Sequence, residues 1–254
     1  AEDGIRDSST SRGLGDVYER QARKENEICK TKYPILMVHG IFFRDWQVIN
    51  YWGRVPNELI RNGAEVYYGK QQSANKVSVS ATEVAERIKE VIAETGAEKV
   101  NIIAHSKGGL DSRYAISHLG MDKYVATLTT INTPHYGCKF VDMLLGKIPE
   151  SIQGFVDRKY NKLFTALGDK DPSFLDGVYD LTYKNCSELN ASTPDSRLVS
   201  YRSVMSKMNS IRSAGFPLNI GYLLNKPYGK GNDGLVTVES LSLIHISEPT
   251  RRRG

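Results

Sequence analysis

The stretch KVNIIAHSKGGLDSRY (99–114) decides the fold of this 254-residue chain. Its first six residues (99–104) form a short apolar run typical of a buried strand, and its last residues have the spacing of a helix. Ser106 stands between the two, in a sharp turn. Such a turn brings the backbones of strand and helix together, so the small residues Ala104 and Gly108 suit it. The sequence therefore predicts a strand–turn–helix unit that lifts the hydroxyl group of Ser106 clear of the sheet.

Strand-like and helix-like segments alternate along the rest of the chain. The predicted strands are 34–38, 64–68, 99–104, 125–131 and 198–204, and the predicted helices are 54–61, 80–95 and 110–118. The clearest helix begins at a capping box, Ser80 to Glu83, and ends before Gly96. Alternation of this kind predicts the α/β class, with a mostly parallel sheet covered by helices on both faces.

The composition describes one ordinary globular domain. The chain is long enough for one large α/β domain and too short for two ordinary domains with a linker. The net charge of +5 is modest and the basic residues are interspersed with acids, which argues against a nucleic-acid partner. No apolar run approaches the length of a membrane span, so we expect no transmembrane segment. Nothing in the sequence predicts the oligomeric state.

Three cysteines, Cys29, Cys138 and Cys186, fit neither a disulfide-dense framework nor a metal site with C-x-x-C spacing. Cys138 and Cys186 could form one bridge, and free thiols are at least as compatible with the sequence. No metal site is predicted.

Both ends of the chain differ in character from the segment between them. SRGLGDVYERQ (11–21) and LSLIHISEPTR (241–251) resemble translations of the two strands of a DNA-sequencing library adapter. We therefore expect residues 1–21 and 241–254 to be foreign to the natural protein, as a tag would be. The genuine segment is then about 22–240, and the absence of a leader peptide from it carries no information about where the protein works.

Two motifs in the expected order predict acyl-transfer chemistry. The pattern A-x-S-x-G at 104–108, between a strand and a helix, is a form of the nucleophile elbow and makes Ser106 the candidate nucleophile. HGIF (39–42) follows the first strand, where such enzymes carry a loop that donates a backbone N–H to the substrate oxyanion. We assign the two oxyanion donors to the backbone amides of Ile41 and Lys107. The alternatives are an accidental serine in a loop and a plain β-turn after the first strand.

The acid of the predicted triad should follow the serine in the chain and precede the histidine. It should lie after the strand 198–204, and no Asp or Glu stands between Asp195 and Asp233. Asp233, in GNDGLV (231–236), is therefore the leading candidate, and Glu239 is the second. The alternative interpretation of Asp233 is a simple Asn-Asp-Gly turn.

The chain resembles a known family, the bacterial true lipases of the Pseudomonas and Burkholderia type, and more closely their clostridial relatives. The matching segments are YPILMVHGI (33–41), YWGRVPNELIRNGAEVY (51–67), KVNIIAHSKGGLDSRY (99–114), TINTPHYG (130–137) and NDGLV (232–236). The resemblance implies the α/β-hydrolase fold, with Ser106 as nucleophile and Asp233 as the triad acid. By the same resemblance, Ile41 and Lys107 are the oxyanion donors.

The resemblance also implies a secreted protein without a cofactor. Relatives often hold a structural calcium ion through one Asp well upstream of the triad acid and another just after the histidine. The upstream stretch of this chain has no such carboxylate. Calcium is therefore doubtful here, and we expect no cofactor.

None of the histidines suits the role of the triad base. His245 is the only one after Asp233, but it lies in the adapter-like end and only twelve positions past the acid, whereas the relatives place theirs further on. His135 precedes the acid and His105 adjoins the nucleophile, so we expect both to be structural. His118 is expected to be a solvated or packing residue. We therefore predict that the catalytic histidine is absent from this chain.

An apolar insertion favours a lipid substrate. Residues 138–181 carry apolar side chains at helical spacing, and Pro149 predicts a break between two helices. We interpret the insertion as a lid that covers an acyl-binding cleft in water and opens at an oil–water interface. A helical pair that only packs against the core is the alternative. The predicted function is a triacylglycerol lipase, and the competing hypotheses are a short-chain carboxylesterase or acyltransferase and an inactive binding module.

Overall fold

A computed structural model describes residues 27–41, 51–213, 218–228 and 231–241. His245 and all but one residue of the adapter-like ends lie outside these ranges. Within the described ranges, five strands form one sheet in the order β2-β1-β3-β4-β5. The strands are β1 (Ile35–Val38), β2 (Val66–Tyr68), β3 (Val100–His105), β4 (Val125–Ile131) and β5 (Ser200–Val204). All four pairings between neighbours are parallel, as the sequence predicted.

Helices connect the strands and follow the last of them. They are α1 (Val55–Arg61), α2 (Val77–Thr95), α3 (Lys107–His118), α4 (Lys139–Leu145), α5 (Glu150–Ala166), α6 (Phe174–Tyr179), α7 (Tyr183–Ser192), α8 (Leu218–Asn225) and α9 (Val238–Leu241). Within the described ranges, none of these helices is long and apolar enough to cross a membrane.

The core lies on both faces of the sheet because successive side chains of a strand point to opposite sides. Leu36 of β1 is fully buried against α2 and α3, in a cluster that includes Val84 and Ala115. Its neighbour Met37 is buried on the other face, where the cluster includes Ile60 of α1. The predicted covering of both faces by helices is therefore confirmed.

The predicted capping box at the start of the second helix is wrong. The helix α2 begins earlier, at Val77, whose backbone N–H donates to the carboxylate of Asp180 at 2.6 Å. Ser80 is buried inside the helix, and the carboxylate of Glu83 accepts hydrogen bonds from Gln72 instead. The cap therefore comes from a residue far along the chain, which no local pattern announces.

Close backbone contacts hold α3 against the end of β1. A Cβ atom added to Gly108 would lie 2.8 Å from the carbonyl oxygen of Val38 and would collide with that of His39. The predicted need for a small residue is therefore confirmed at Gly108, and Ala104 is fully buried. Gly109 meets the side chain of Thr133 in the same way, which the sequence did not predict.

The predicted insertion, 138–181, contains the helices α4, α5 and α6, and Pro149 lies in the break between α4 and α5, as predicted. Its second half is anchored, because the buried carboxylate of Asp169 accepts hydrogen bonds from the backbone amides of Ser73 and Ala74 at 3.0–3.1 Å. These two residues belong to the loop after β2. The end of the insertion is therefore fixed to the body of the domain.

Replacing Gly108 with Ala should destabilise the fold by about 1–3 kcal/mol, because the added methyl group meets backbone that cannot shift cheaply. Urea denaturation measures this change. Gly154→Ala is the matched control: Gly154 lies in α5, where the nearest atom to an added Cβ is Arg158 Nη1 at 3.6 Å. The control should gain about 0.5–1 kcal/mol from its helix propensity. Similar effects of the two substitutions would contradict the proposed packing.

Candidate active site

Ser106 occupies the turn between β3 and α3 with φ 53° and ψ −130°, a backbone conformation that is strained for any residue except glycine. Hydrogen bonds hold the turn on both sides. The backbone N–H of Ser106 donates to the carbonyl oxygen of Ile131 at 2.9 Å, and the carbonyl of Ser106 accepts from Gly109 at 3.1 Å. This is the strand–turn–helix unit predicted from the sequence.

The loop after β1 lies directly against Ser106. A Cβ atom added to Gly40 would lie 2.7 Å from the Cβ of Ser106. Ile41 follows Gly40, and its side chain is buried beside Leu110 of α3. Lys107 is the first residue of α3, where a backbone N–H has no carbonyl one turn earlier in the helix. The two amides predicted as oxyanion donors therefore belong to the segments that flank the Ser106 turn.

Two side chains that the sequence did not single out hold the loop after β1. The hydroxyl group of Tyr51 accepts the backbone N–H of Gly40 at 3.0 Å and contacts Nδ1 of His105. Buried Gln71 donates from Nε2 to the carbonyl oxygen of His39 at 2.8 Å. Neither residue stands in a local pattern that indicates such a role.

The side chain of Lys107 is buried beneath the turn. Its Nζ lies 2.8 Å from Oδ1 of Asp111 and 3.0 Å from Oγ of Ser80. Burial raises the pKa of Asp111 to about 7, and the adjacent ammonium group of Lys107 opposes that rise. The pair fixes the first turn of α3 against α2. A Lys and an Asp four residues apart on a helix face each other, so this spacing was a usable signal in the sequence.

Asp233 lies in a tight turn, as the alternative interpretation had it. Its Oδ1 accepts the backbone N–H groups of Leu235 at 2.9 Å and Val236 at 2.8 Å. Burial raises the pKa of Asp233, and these amides oppose the rise. Among the described residues, no donor bonds to its second oxygen, Oδ2, so that atom can accept from a histidine. The side chain of Glu239, the second candidate, lies outside the described residues.

The Asp233 turn is held at the same edge of the sheet as Ser106. The carbonyl oxygen of Asn232 accepts from the backbone N–H of Met208, which follows β5, at 2.8 Å. The thiol of Cys138, which follows β4, donates to the carbonyl oxygen of Leu235 at 2.9 Å. Both contacts come from chain that follows the C-terminal ends of strands, which is also where the Ser106 turn lies.

No hydrogen bond joins a histidine to Ser106 or Asp233 within the described ranges. The four described histidines have other partners: His39 contacts the carbonyl oxygen of Gly40, His105 contacts Tyr51, His118 contacts Thr193, and His135 contacts Thr130. Burial lowers the pKa of His105 to about 4 and that of His135 well below its usual value. Both are therefore neutral at pH 7.

The three cysteines are free thiols, and Cys186 is buried with its thiol near the carbonyl oxygens of Pro134 and Asp180. In the part of the chain that the structure describes, no three His, Cys, Asp or Glu side chains are gathered as a metal ion would require.

The helix α5 has one anchored and one open face. Phe164 is buried against Phe174, which belongs to α6. On the open side, the exposed fractions of Ile152, Phe155 and Leu163 are 47%, 62% and 49%. The predicted insertion therefore contains a core-packing part and an apolar surface that faces water.

Known proteins with similar sequences are lipases and esterases. Residues 31–149 match the family model of the DUF676 serine esterases. A triacylglycerol lipase of Pseudarthrobacter phenanthrenivorans is 32% identical over 180 residues, which cover 66% of this chain and 56% of that protein. A triacylglycerol lipase of Burkholderia plantarii is also 32% identical over 180 residues, which cover 66% of this chain and 50% of that protein. The chain thus spans about half the length of these curated relatives.

Two solved structures with the same architecture are those of bacterial lipases. The mature form of the Bacillus licheniformis lipase BlEst2 superposes with a TM-score of 0.65 at 23% identity, over 87% of this chain and 82% of that one. Lipase 1 from Pelosinus fermentans gives a TM-score of 0.58 at 18% identity, over 82% of this chain and 83% of that one. These likenesses confirm the predicted α/β-hydrolase fold.

Replacing Ser106 with Gly should stabilise the chain, because glycine adopts the observed φ and ψ without strain. We expect a gain of about 1–2 kcal/mol in the free energy of unfolding, measured by urea denaturation. Ser200→Gly is the control, because Ser200 begins the strand β5 and should lose about 0.5–1 kcal/mol. A loss of stability in both variants would show that the Ser106 turn is not strained.

Proposed function

We propose that this chain, an α/β-hydrolase of the bacterial lipase type, carries the catalytic serine of an enzyme that cleaves carboxylic esters of lipids. The observation that carries the proposal is the strained turn at Ser106, with the loop of Gly40 and Ile41 packed against it. A strained serine at a strand-to-helix turn, with backbone amides beside it, is the arrangement that acyl transfer requires. The triacylglycerol lipases among its relatives support a lipid ester as substrate.

The proposed reaction proceeds through an acyl-enzyme. Ser106 Oγ bonds to the ester carbonyl carbon while its proton passes to a histidine base, and the carbonyl oxygen becomes an oxyanion. The backbone amides of Ile41 and Lys107 donate to that oxyanion. The tetrahedral intermediate then expels the alcohol, which takes the proton from the imidazole. Water repeats the same steps on the acyl-enzyme and releases the acid.

Asp233 is the proposed acid of the triad. Its Oδ1 is occupied by the amides of Leu235 and Val236, which fix the carboxylate in place. Oδ2 would accept the Nδ1–H of the base and hold the imidazole in the productive tautomer. The carboxylate is therefore positioned before a base binds to it.

The described histidines do not supply the catalytic base, since none of them bonds to Ser106 or Asp233 within the described ranges. Loss of one member of a serine triad costs about 10⁴ to 10⁶ in kcat. We therefore propose that the 254-residue chain hydrolyses esters slowly, and that a small external base can substitute in part.

The open face of α5 supports a lipid rather than a small soluble ester. The side chains of Ile152, Phe155 and Leu163 expose apolar area on the open face of α5, in the insertion that follows β4. Apolar surface of this kind is costly in water and favourable against lipid. We propose that α4 and α5 form the mobile part of the lid and that the segment around Asp169 is its fixed base.

Free imidazole should accelerate ester hydrolysis by the 254-residue chain, because the small base can accept the proton of Ser106. The measurement is the release of p-nitrophenol from p-nitrophenyl butyrate at pH 7.5 as imidazole is raised, with the protein-free rate subtracted. We expect a rate that rises with imidazole, falls in Asp233→Asn and vanishes in Ser106→Ala.

His245→Ala is the control for the competing assignment of the base. If His245 serves as the base, the chain turns over rapidly without imidazole and His245→Ala turns over slowly, which would contradict the proposal. A rate in Ser106→Ala equal to that of the parent chain would refute Ser106 as the nucleophile.

A series of p-nitrophenyl esters from acetate to palmitate separates a lipase from a short-chain esterase in the same assay. We expect the rate with long chains to equal or exceed that with acetate, because long acyl chains gain from apolar contacts. A sharp preference for acetate would instead favour the short-chain esterase.

A further inference from the structure

The outer face of α5 combines apolar and basic side chains. Ile152, Phe155, Lys159 and Leu163 follow one another at intervals of three and four residues, so they lie along one side of the helix. All four are exposed. Exposed apolar side chains that line up in this way indicate an interaction surface rather than scattered surface residues.

Three basic residues belong to this face. Lys159 lies within the apolar row, while Arg158 and Lys162 follow Phe155 at steps of three and four and so line one edge of the row. The guanidinium group of Arg158 lies over Gly154, 3.6 Å from the position of an added Cβ. Within the described ranges, none of the three forms an ion pair. Their charges are therefore available to a partner.

The acidic residues of α5 lie away from this face or at its start. Asp157 points toward α6, where its carboxylate accepts the backbone N–H of Leu175, and it also accepts the side-chain amide of Asn161, both at 2.9 Å. Glu150 is exposed in the first turn. The outer face past that turn therefore carries positive charge only.

We propose that the outer face of α5, defined by Ile152, Phe155, Arg158, Lys159, Lys162 and Leu163, docks on an anionic lipid surface. An apolar row with basic side chains along it is the pattern of a helix that lies in the headgroup region of a negatively charged bilayer. A second copy of this chain suits the face less well, because a symmetric contact would bring like charges together.

A neutral oil surface would use the apolar row and leave the three cations without a partner. We thus specify the charge of the lipid surface on which the proposed lipase acts. This inference rests on the proposed function. Binding to vesicles needs no turnover. A failure of this inference is therefore distinguishable from a failure of Ser106 as the nucleophile.

Co-sedimentation of the 254-residue chain with vesicles tests the proposal. We expect vesicles of phosphatidylglycerol to bind at least about tenfold more tightly than vesicles of phosphatidylcholine, and this difference should shrink as salt is raised. The triple variant Arg158→Gln, Lys159→Gln, Lys162→Gln should weaken binding to phosphatidylglycerol on the order of a hundredfold. Phe155→Ser should weaken binding to both kinds of vesicle.

A second triple variant, Arg54→Gln, Lys89→Gln, Arg197→Gln, changes the net charge equally at exposed positions elsewhere and is the matched control. It should bind phosphatidylglycerol nearly as well as the parent chain. Equal binding of the parent to both lipids, or equal losses in the two triple variants, would overturn the proposal. So would a parent chain that is dimeric by light scattering, becomes monomeric in Phe155→Ser and binds neither kind of vesicle.

Discussion

The conformation of Ser106 depends on three backbone segments that converge on one turn. The strand β4 accepts the N–H of Ser106 through Ile131, α3 begins at the next residue, and the loop after β1 places Gly40 against its Cβ atom. The strand order makes this possible, because β3 lies between β1 and β4. A strained residue costs about 1–3 kcal/mol, which the packed core on both faces of the sheet must offset.

The same edge of the sheet joins the candidate acid to the start of the insertion. Cys138, one residue before α4, donates its thiol hydrogen to Leu235 in the Asp233 turn. Asn225 of α8 donates to the same carbonyl oxygen at 3.1 Å. Hydrogen bonds from the start of the insertion and from α8 therefore hold the turn that contains the carboxylate. Movement of α4 would change the first of these bonds and so shift Asp233.

Local patterns predicted much of the fold, and contacts between distant residues explain where they failed. The apolar run before Ser106 and the small residues around it predicted the strand, the turn and the helix. The start of α2 was mispredicted because its cap, Asp180, lies 103 residues from Val77. Tyr51 and Gln71 contact the loop after β1 only in the folded chain. No periodicity in the sequence marks such residues. By contrast, the four-residue spacing of Lys107 and Asp111 could have revealed their buried pair.

The most direct test of Ser106 as the nucleophile is covalent trapping. The chain is incubated with a p-nitrophenyl alkylphosphonate in imidazole buffer, and the adduct is located by mass spectrometry of its peptides. We expect one phosphonyl group on the peptide that contains Ser106, slower labelling in Asp233→Asn, and none in Ser106→Ala. A phosphonyl group on another residue, or labelling of Ser106→Ala equal to that of the parent chain, would contradict this role of Ser106.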